Sequence, residues 1–309
     1  MGPNPHSGYP LDKRSARMSF HIDEEIATQP ANWLQAASMA EQFRQVLPQP
    51  GERVAVLGCG TSWFMSMAFA LLRESTGQGE TDSFTASEMN YNRPYDRIIA
   101  LTRTGTTTET VDVLNRLRGT LPTVVITEKH QSPATQAADT SIVLDFASEK
   151  SVVSTRFATS TLALLRAHIG QDLTLIAKQA EAMLHESVEQ YASAEQISFL
   201  GTGWSIAMAS EAALKTRETA QFWAETHPAM DYRHGPISIA QPGRVVWCFG
   251  TPPQNLQRDV EATGAFFETR DIDPMAHLVL AHRTAAALAN KRGVNPDQPR
   301  HLSRSVVLS

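Results

Sequence analysis

Residues 54–62 read VAVLGCGTS and residues 197–205 read ISFLGTGWS. Each copy is a short apolar run, then Gly-x-Gly-x-Ser, then a stretch of helical character. A repeat at so long a period implies two similar domains rather than a solenoid of small units. With 309 residues there is room for two domains of about 150 residues each. Strand-like runs at 53–57, 83–86, 97–102, 122–127 and 141–146 alternate with helix-like stretches at 63–76, 108–118 and 133–138. Such alternation predicts an α/β fold whose parallel sheets are covered on both faces. The second half repeats the theme with fewer strands: a long helix over 172–192, strands at 197–201 and 244–249, and helices at 206–224, 255–266 and 274–292. Ahead of the first strand, 21–49 reads as helical with a break at Gln29-Pro30. The domain reading is 18–170, then 171–294, with 295–309 an extended tail on the surface. Residues 1–17 are expected to be a disordered leader or tag.

Composition excludes several classes. A net charge of −5 and a pI near 6.1 argue against nucleic acid as the main partner. No run of about 18 apolar residues is present, so no membrane span is expected. Cys59 and Cys248 sit inside apolar runs, which suits a reducing cytoplasm and no disulfide framework. Scattered histidines give no metal-ligand spacing, and no metal or other cofactor is expected.

The two copies differ in their neighbouring loops. After a strand of the first copy comes Thr102-Arg103-Thr104-Gly105-Thr106-Thr107-Thr108, with five hydroxyls and one guanidinium. With Cys59-Gly60-Thr61-Ser62 opening a helix, this set can offer several donors to one phosphate. One or two of the threonines are expected to cap the next helix, but so many hydroxyls exceed what a cap needs. The glycines do not complete a dinucleotide fingerprint, since no third glycine follows before Phe64. In the second copy the matching loop is Gly250-Thr251-Pro252-Pro253, and proline has no N–H to give an anion.

Glu211, Lys215 and Glu218 stand at i, i+4 and i+7, within roughly 60° of one another on a helix. The first copy has Ala68 and Leu72 at the positions of Glu211 and Lys215. Such a face is either a solvated, ion-paired surface or chemical machinery. His234, in HPAMDYRHGP (227–236), can project from its turn as an acid/base partner for a carboxylate on that helix.

These residues resemble the sugar isomerase (SIS) domain family, and most of all the isomerase half of glutamine–fructose-6-phosphate aminotransferase and the stand-alone aminosugar-phosphate isomerases and deaminases. Cys59–Ser62 resembles the family's CGTS, Thr102–Thr107 its SQSGET loop and Glu149–Thr155 its E-x-x-V-A-S-T segment. Ala213–Glu218 resembles ALKLKE, His234-Gly235-Pro236 the KHGP turn, and DQPRHLSRSVVLS the DxPRNLAKSVTVE tail. The resemblance implies two tandem SIS domains, each a three-layer, flavodoxin-like α/β/α unit, in a homodimer that binds a hexosamine 6-phosphate. It implies that Ser62, Thr102, Arg103, Thr104 and Thr107 hold the phosphate, that Cys59, Gly60 and Thr61 belong to the same substrate- and phosphate-binding set, and that Val152 and Ser154 line the sugar pocket. Glu218 would move a proton between C1 and C2, beside Lys215, and His234 would assist ring opening in the neighbouring subunit's site.

One departure stands out. The family's imine-forming tail lysine is replaced by Arg304, which stays protonated and is a poor nucleophile. With no glutaminase domain and no Cys at residue 1 or 2, amidation from glutamine is not expected. The expected activity is isomerisation or deamination of glucosamine 6-phosphate or a similar sugar by C2 proton abstraction. The alternatives are isomerisation of, or elimination of water from, N-acetylglucosamine 6-phosphate, and a non-catalytic sugar-phosphate sensor.

Overall fold

The computed structural model describes residues 20–308, so the leader expected over 1–17 lies outside the described residues. Strands β1 (Val54–Gly58), β2 (Thr81–Thr85), β3 (Arg97–Leu101), β4 (Thr123–Thr127) and β5 (Thr140–Val143) form one sheet in the order β2-β1-β3-β4-β5. Strands β6 (Gln196–Gly201), β7 (Ala224–Pro228), β8 (Arg244–Phe249) and β9 (Phe266–Thr269) form a second in the order β7-β6-β8-β9. Every pairing in both sheets is parallel. The second order repeats the first, with β5 lacking a counterpart. β1 and β4 are buried along their whole length, which is why VAVLG and TVVIT read as unbroken apolar runs rather than alternating ones.

Helices α3 (Thr61–Ser75) and α9 (Ser205–Ala220) follow the leading strand of each sheet and pack against each other. Around that contact lie α1 (His21–Ala27), α2 (Gln29–Ser38), α6 (Arg156–His168), α7 (Thr174–Met183) and α11 (Pro274–Lys291). One apolar core, with Trp33, Phe69, Phe157, Phe199 and Trp247 among its members, runs through both halves. Burying each of these rings contributes on the order of 2–3 kcal/mol. Each sheet also has a private outer core. One holds Ala55, Leu57 and Ile98 under Val113 and Leu114 of α4 (Thr108–Leu117). The other holds Leu200 and Val246 under Leu256 and Val260 of α10 (Leu256–Glu261). Helix α5 (Pro133–Ala137) precedes β5, and α8 (Glu189–Ala192) precedes β6. Among the described residues no helix is long and apolar enough to cross a membrane.

The structure corrects the sequence reading in five places. The helical reading over 21–49 holds only through Ser38, after which 39–46 runs as turns. α6 has no counterpart among the expected helices; the buried residues of RFATSTLALLRAH mix Thr159, Ser160 and Thr161 with the apolar ones. The expected helix over 172–192 is interrupted between Met183 and Glu189, giving α7 and α8. Two short strands, β7 (AETHP) and β9 (FFET), are absent from the sequence reading. Both lie at sheet edges, where the apolar pattern is thin. Finally, the helix expected over 255–266 stops at Glu261, before β9.

Candidate active site

Gly58 closes β1 and Gly201 closes β6 under the same constraint. An added Cβ would lie 2.6 Å from Ser62 Cβ in one and 2.4 Å from Ser205 O in the other. These tight turns place the start of α3 or α9 over the carboxyl end of its sheet, where open α/β sheets bind ligands. The threonine loop after β3 makes a second tight turn at Gly105, where φ is +69° and a Cβ would meet Ser132 Oγ at 2.1 Å. Only glycine fits there.

Ser62, Thr102, Thr104 and Thr107 thereby line one cavity of about 210 Å³, together with Cys59, Gly60 and Thr61. Thr102 Oγ1 is buried with no hydrogen-bond partner, an orphan of the kind a ligand satisfies. Thr104 Oγ1 lies 2.9 Å from Thr106 Oγ1. The expected threonine cap is not found: Thr107 is the N-cap of α4, but its side chain makes no capping bond and meets Ser305 Oγ at 3.3 Å. The N-cap of α3 is Gly60, which has no side chain to cap with. Both helices therefore turn their positive ends toward the cavity without a side-chain oxygen across them. Burial pushes the Cys59 thiol up, and the Glu109 charge adds to it, so this wall carries no ready thiolate.

Arg103, expected to bind phosphate, lines the same cavity, but its guanidinium is turned to the facing wall. It is buried, and Nη1 donates to Glu149 Oε2 at 2.9 Å and Val153 O at 3.1 Å. Nη2 donates to Val152 O at 2.6 Å. Its donors pin the 149–154 loop, which forms the facing wall through Val152 and Ser154. Burial pushes the Glu149 carboxyl up, but the Arg103 charge and the Thr155 N–H outweigh it and hold it below the usual range. The sequence reading takes Glu149 only as the head of the 149–155 segment and gives it no counter-ion. A charge standing within a hydroxyl loop is the one signal that could have prompted a search for its counter-ion.

The charged face of α9 is not solvated. The Glu211 and Lys215 side chains are each 1% exposed, and the Glu218 side chain, which lines the cavity, is 20% exposed. Lys215 Nζ donates to Glu218 Oε2 and lies 3.5 Å from Glu211 Oε1. Burial pushes the Lys215 ammonium down, but the charges of Glu211 and Glu218 outweigh it and hold it above the usual lysine range. The ammonium therefore stays charged and is a cation for the carboxylates, not a nucleophile.

Residues 302–306 of the tail close the cavity. Thr108 N donates to Val306 O at 3.2 Å, and Leu308 N donates to Thr108 Oγ1 at 2.9 Å, so the tail is bound to the threonine loop. Arg304 reaches the cavity with its guanidinium committed: Nη2 lies 3.2 Å from Glu128 Oε1 and 2.6 Å from Glu149 O, and Nη1 donates to Lys150 O at 3.2 Å. Of the site residues read from sequence, His234 alone is absent from the cavity walls. It is exposed, at the end of a 3-10 turn over Asp231–His234.

The SIS domain family model matches residues 49–169. The chain is 25% identical over 295 residues to the glutamine–fructose-6-phosphate aminotransferase of Sulfolobus acidocaldarius, a match covering 83% of this chain and 50% of that protein. It spans about half the length of the curated relatives it matches. The structure is similar to that of glucosamine-6-phosphate deaminase from Thermotoga maritima, with TM-score 0.76 at 22% identity over 93% of this chain and all of that one. It is similar also to tagatose-6-phosphate ketose/aldose isomerase from Escherichia coli, with TM-score 0.76 at 18% identity over 94% of this chain and 96% of that one. At such identities these structures establish the fold.

Proposed function

With residues 49–169 a SIS domain as the premise, we propose that this chain is an aminosugar-phosphate isomerase or deaminase acting on glucosamine 6-phosphate or a similar hexosamine 6-phosphate. In this reading residues 171–294 form a second SIS domain, and the active form is a homodimer in which His234 completes the neighbouring site. The observation that carries the reading is the shared cavity: Ser62, Thr102, Thr104 and Thr107 of one half line it with Glu218 of the other. The hydroxyls and the α3 and α4 termini hold the 6-phosphate dianion, which fixes C2 of the open-chain sugar against Glu218. Arg103 serves as a positioning residue, holding the 149–154 wall. Glu218 takes the C2 proton and leaves an enaminol, and the same carboxyl returns the proton to C1. Water then hydrolyses the resulting C2 imine to the ketose phosphate and ammonia.

Arg304 favours a second reading in one respect. Its guanidinium is engaged with Glu128 and two carbonyls, so the tail offers no amine for an imine with the substrate. Loss of the C3 hydroxyl from an N-acetylated sugar needs no imine: the C2 proton goes to Glu218, the C2 electron pair forms the C2=C3 bond, and the C3 oxygen takes a proton and leaves as water. The test is purified protein with a panel of hexose and hexosamine 6-phosphates. The reading expects ammonia and fructose 6-phosphate in equal amounts from glucosamine 6-phosphate. A product that has lost water from the N-acetylated sugar favours elimination, and no turnover across the panel contradicts both.

A further inference from the structure

The candidate site continues past Glu218. A second cavity of about 370 Å³ adjoins the first, and Glu218 and Leu302 line both. The first, at about 210 Å³, is smaller than the roughly 300–1,000 Å³ that small-molecule sites span, whereas the two together fall within that range. The second cavity forms where α9 ends against the tail. Gln221 closes α9 with φ at +50°, and His301 turns the tail with φ at +65°. Among the described residues only Asn255 shares such a backbone without being glycine, so two of the three sterically disfavoured positions stand around this one space. After the Gln221 turn Phe222 is buried, and Trp223 is left 76% exposed on the cavity wall.

The charge of this cavity is positive and unspent. Arg300 has no hydrogen bond and no ion pair among the described residues. Arg217 gives one N–H to Ala224 O at 2.8 Å and forms no ion pair among them. The Arg292 guanidinium, 5.8 Å from the Phe222 ring centroid, adds a third cation nearby. The one carboxylate on the wall, Glu218, is already held by the Lys215 ammonium. Guanidiniums grip a carboxylate through paired N–H donors, and an indole face covers an apolar stem.

We propose that this second cavity takes a carboxylate carried on the substrate's C2 nitrogen, so that the substrate is a hexosamine 6-phosphate N-substituted by a short carboxylate-bearing group. This deepens, and rests on, the reading of Glu218 as the base at C2. Thr102, Thr104 and Thr107 line only the first cavity, Trp223 and Arg300 only the second, and Glu218 is common to both. A sugar seated by its phosphate with C2 at Glu218 therefore sends its nitrogen substituent toward Trp223 and Arg300. The bonds made and broken stay those of the proposed reaction. Glu218 takes the C2 proton and returns it to C1, water adds its oxygen to C2 of the imine, and the C2–N bond breaks. The nitrogen leaves as an amine that keeps the carboxylate-bearing group, in place of ammonia.

The test is calorimetry on the whole protein with two C1-reduced analogues, which lack the carbonyl that makes the C2 proton removable. One is N-carboxymethyl-2-amino-2-deoxyglucitol 6-phosphate, and the other is its neutral N-carbamoylmethyl counterpart. The carboxylate is expected to bind about tenfold more tightly, the gain of one charge-assisted pair, and the gap should narrow as salt is raised. R300Q should remove the gap while the melting temperature is held. With N-carboxymethylglucosamine 6-phosphate itself, glycine and fructose 6-phosphate should appear in equal amounts. Acrylamide should quench Trp223 in the ligand-free protein, read by difference from W223F, and quench it less once the carboxymethyl analogue is bound.

Equal affinity for the two analogues, or a gap that persists in folded R300Q, overturns the proposal. So does a Trp223 shielded before any ligand is added, which places a second copy of the chain over the cavity. The binding readout needs no turnover. A carboxylate preference that is lost in R300Q, in a protein that turns over no sugar phosphate, counts against the proposed activity alone. Equal affinities in an enzyme active on glucosamine 6-phosphate count against the second cavity alone.

Discussion

Ser62 and Ser205 hold the same place in the two halves, each in the first turn of the helix after the leading strand, yet their surroundings differ. Ser205 Oγ is consumed internally, donating to Phe249 O at 2.9 Å and accepting from Thr202 N at 2.8 Å. Ser62 instead stands at the cavity wall beside the threonine loop. The helices behind them diverge in the opposite sense: Ala68 and Leu72 of α3 are packed in the apolar core, while Glu211 and Lys215 at the matching positions of α9 form a buried ion cluster. In the proposed reading, one copy of the turn keeps an open anion seat, and the other has closed its seat and put charge on its helix. The difference suggests that a duplicated fold divides a two-part task by changing few side chains, because the turn supplies the geometry in both copies.

The sharpest break of this contrast is Glu218→Gln, which removes the carboxylate from the α9 side and leaves the hydroxyl seat untouched. Turnover should fall about a thousandfold while sugar-phosphate affinity is retained, as measured by steady-state rates and calorimetry. Arg103→Leu comes next and acts on stability. Leaving the Glu149 carboxylate buried and unpaired should cost about 3–5 kcal/mol in denaturant unfolding at neutral pH. Glu149 is held below its ordinary value of 4.5 in the folded chain, so its contribution is complete above that pH and fades as the pH falls toward the folded value. The parent should therefore lose stability through that acid window, and the deficit of Arg103→Leu should narrow there.

A smaller effect separates two glycines. Gly105→Ala puts a Cβ 2.1 Å from Ser132 Oγ, whereas at Gly250 the nearest atom is Ser205 Oγ at 3.6 Å. Thermal melts should show Gly105→Ala losing several kcal/mol and the phosphate seat, while Gly250→Ala loses about 1 kcal/mol, for its positive φ alone. The smallest effect concerns single hydroxyls. Thr102→Val should weaken kcat/KM about tenfold by removing one donor to a charged ligand, and Thr251→Val should leave it unchanged. Equal effects at the two threonines would erase the proposed division between the halves.

Much of this was legible in the chain. Apolar runs ending in Gly-x-Gly-x-Ser marked both leading strands, since parallel strands buried on two faces admit little but Val, Ile and Leu. Ser62, Thr102, Thr104, Thr107, Lys215 and Glu218 could be named because polar types stood out against an apolar expectation, whereas Val152 and Ser154 came only from the family resemblance. α6 was missed because its buried residues mix Thr159, Ser160 and Thr161 with the apolar ones. The role of Arg103 was hidden because sequence shows a charge but not its counter-ion, and Glu149 lies on a different loop.

The central claim is that the first half seats the phosphate while Glu218 of the second moves the proton on C2. Its most direct test is hydrogen exchange at C2, monitored by proton NMR of glucosamine 6-phosphate with the protein in heavy water. The account expects the C2 proton signal to disappear at a rate that collapses in Glu218→Gln and persists in Thr251→Val. A C2 proton that stays in place while the sugar phosphate is bound, or that exchanges as fast without the Glu218 carboxylate, would contradict it.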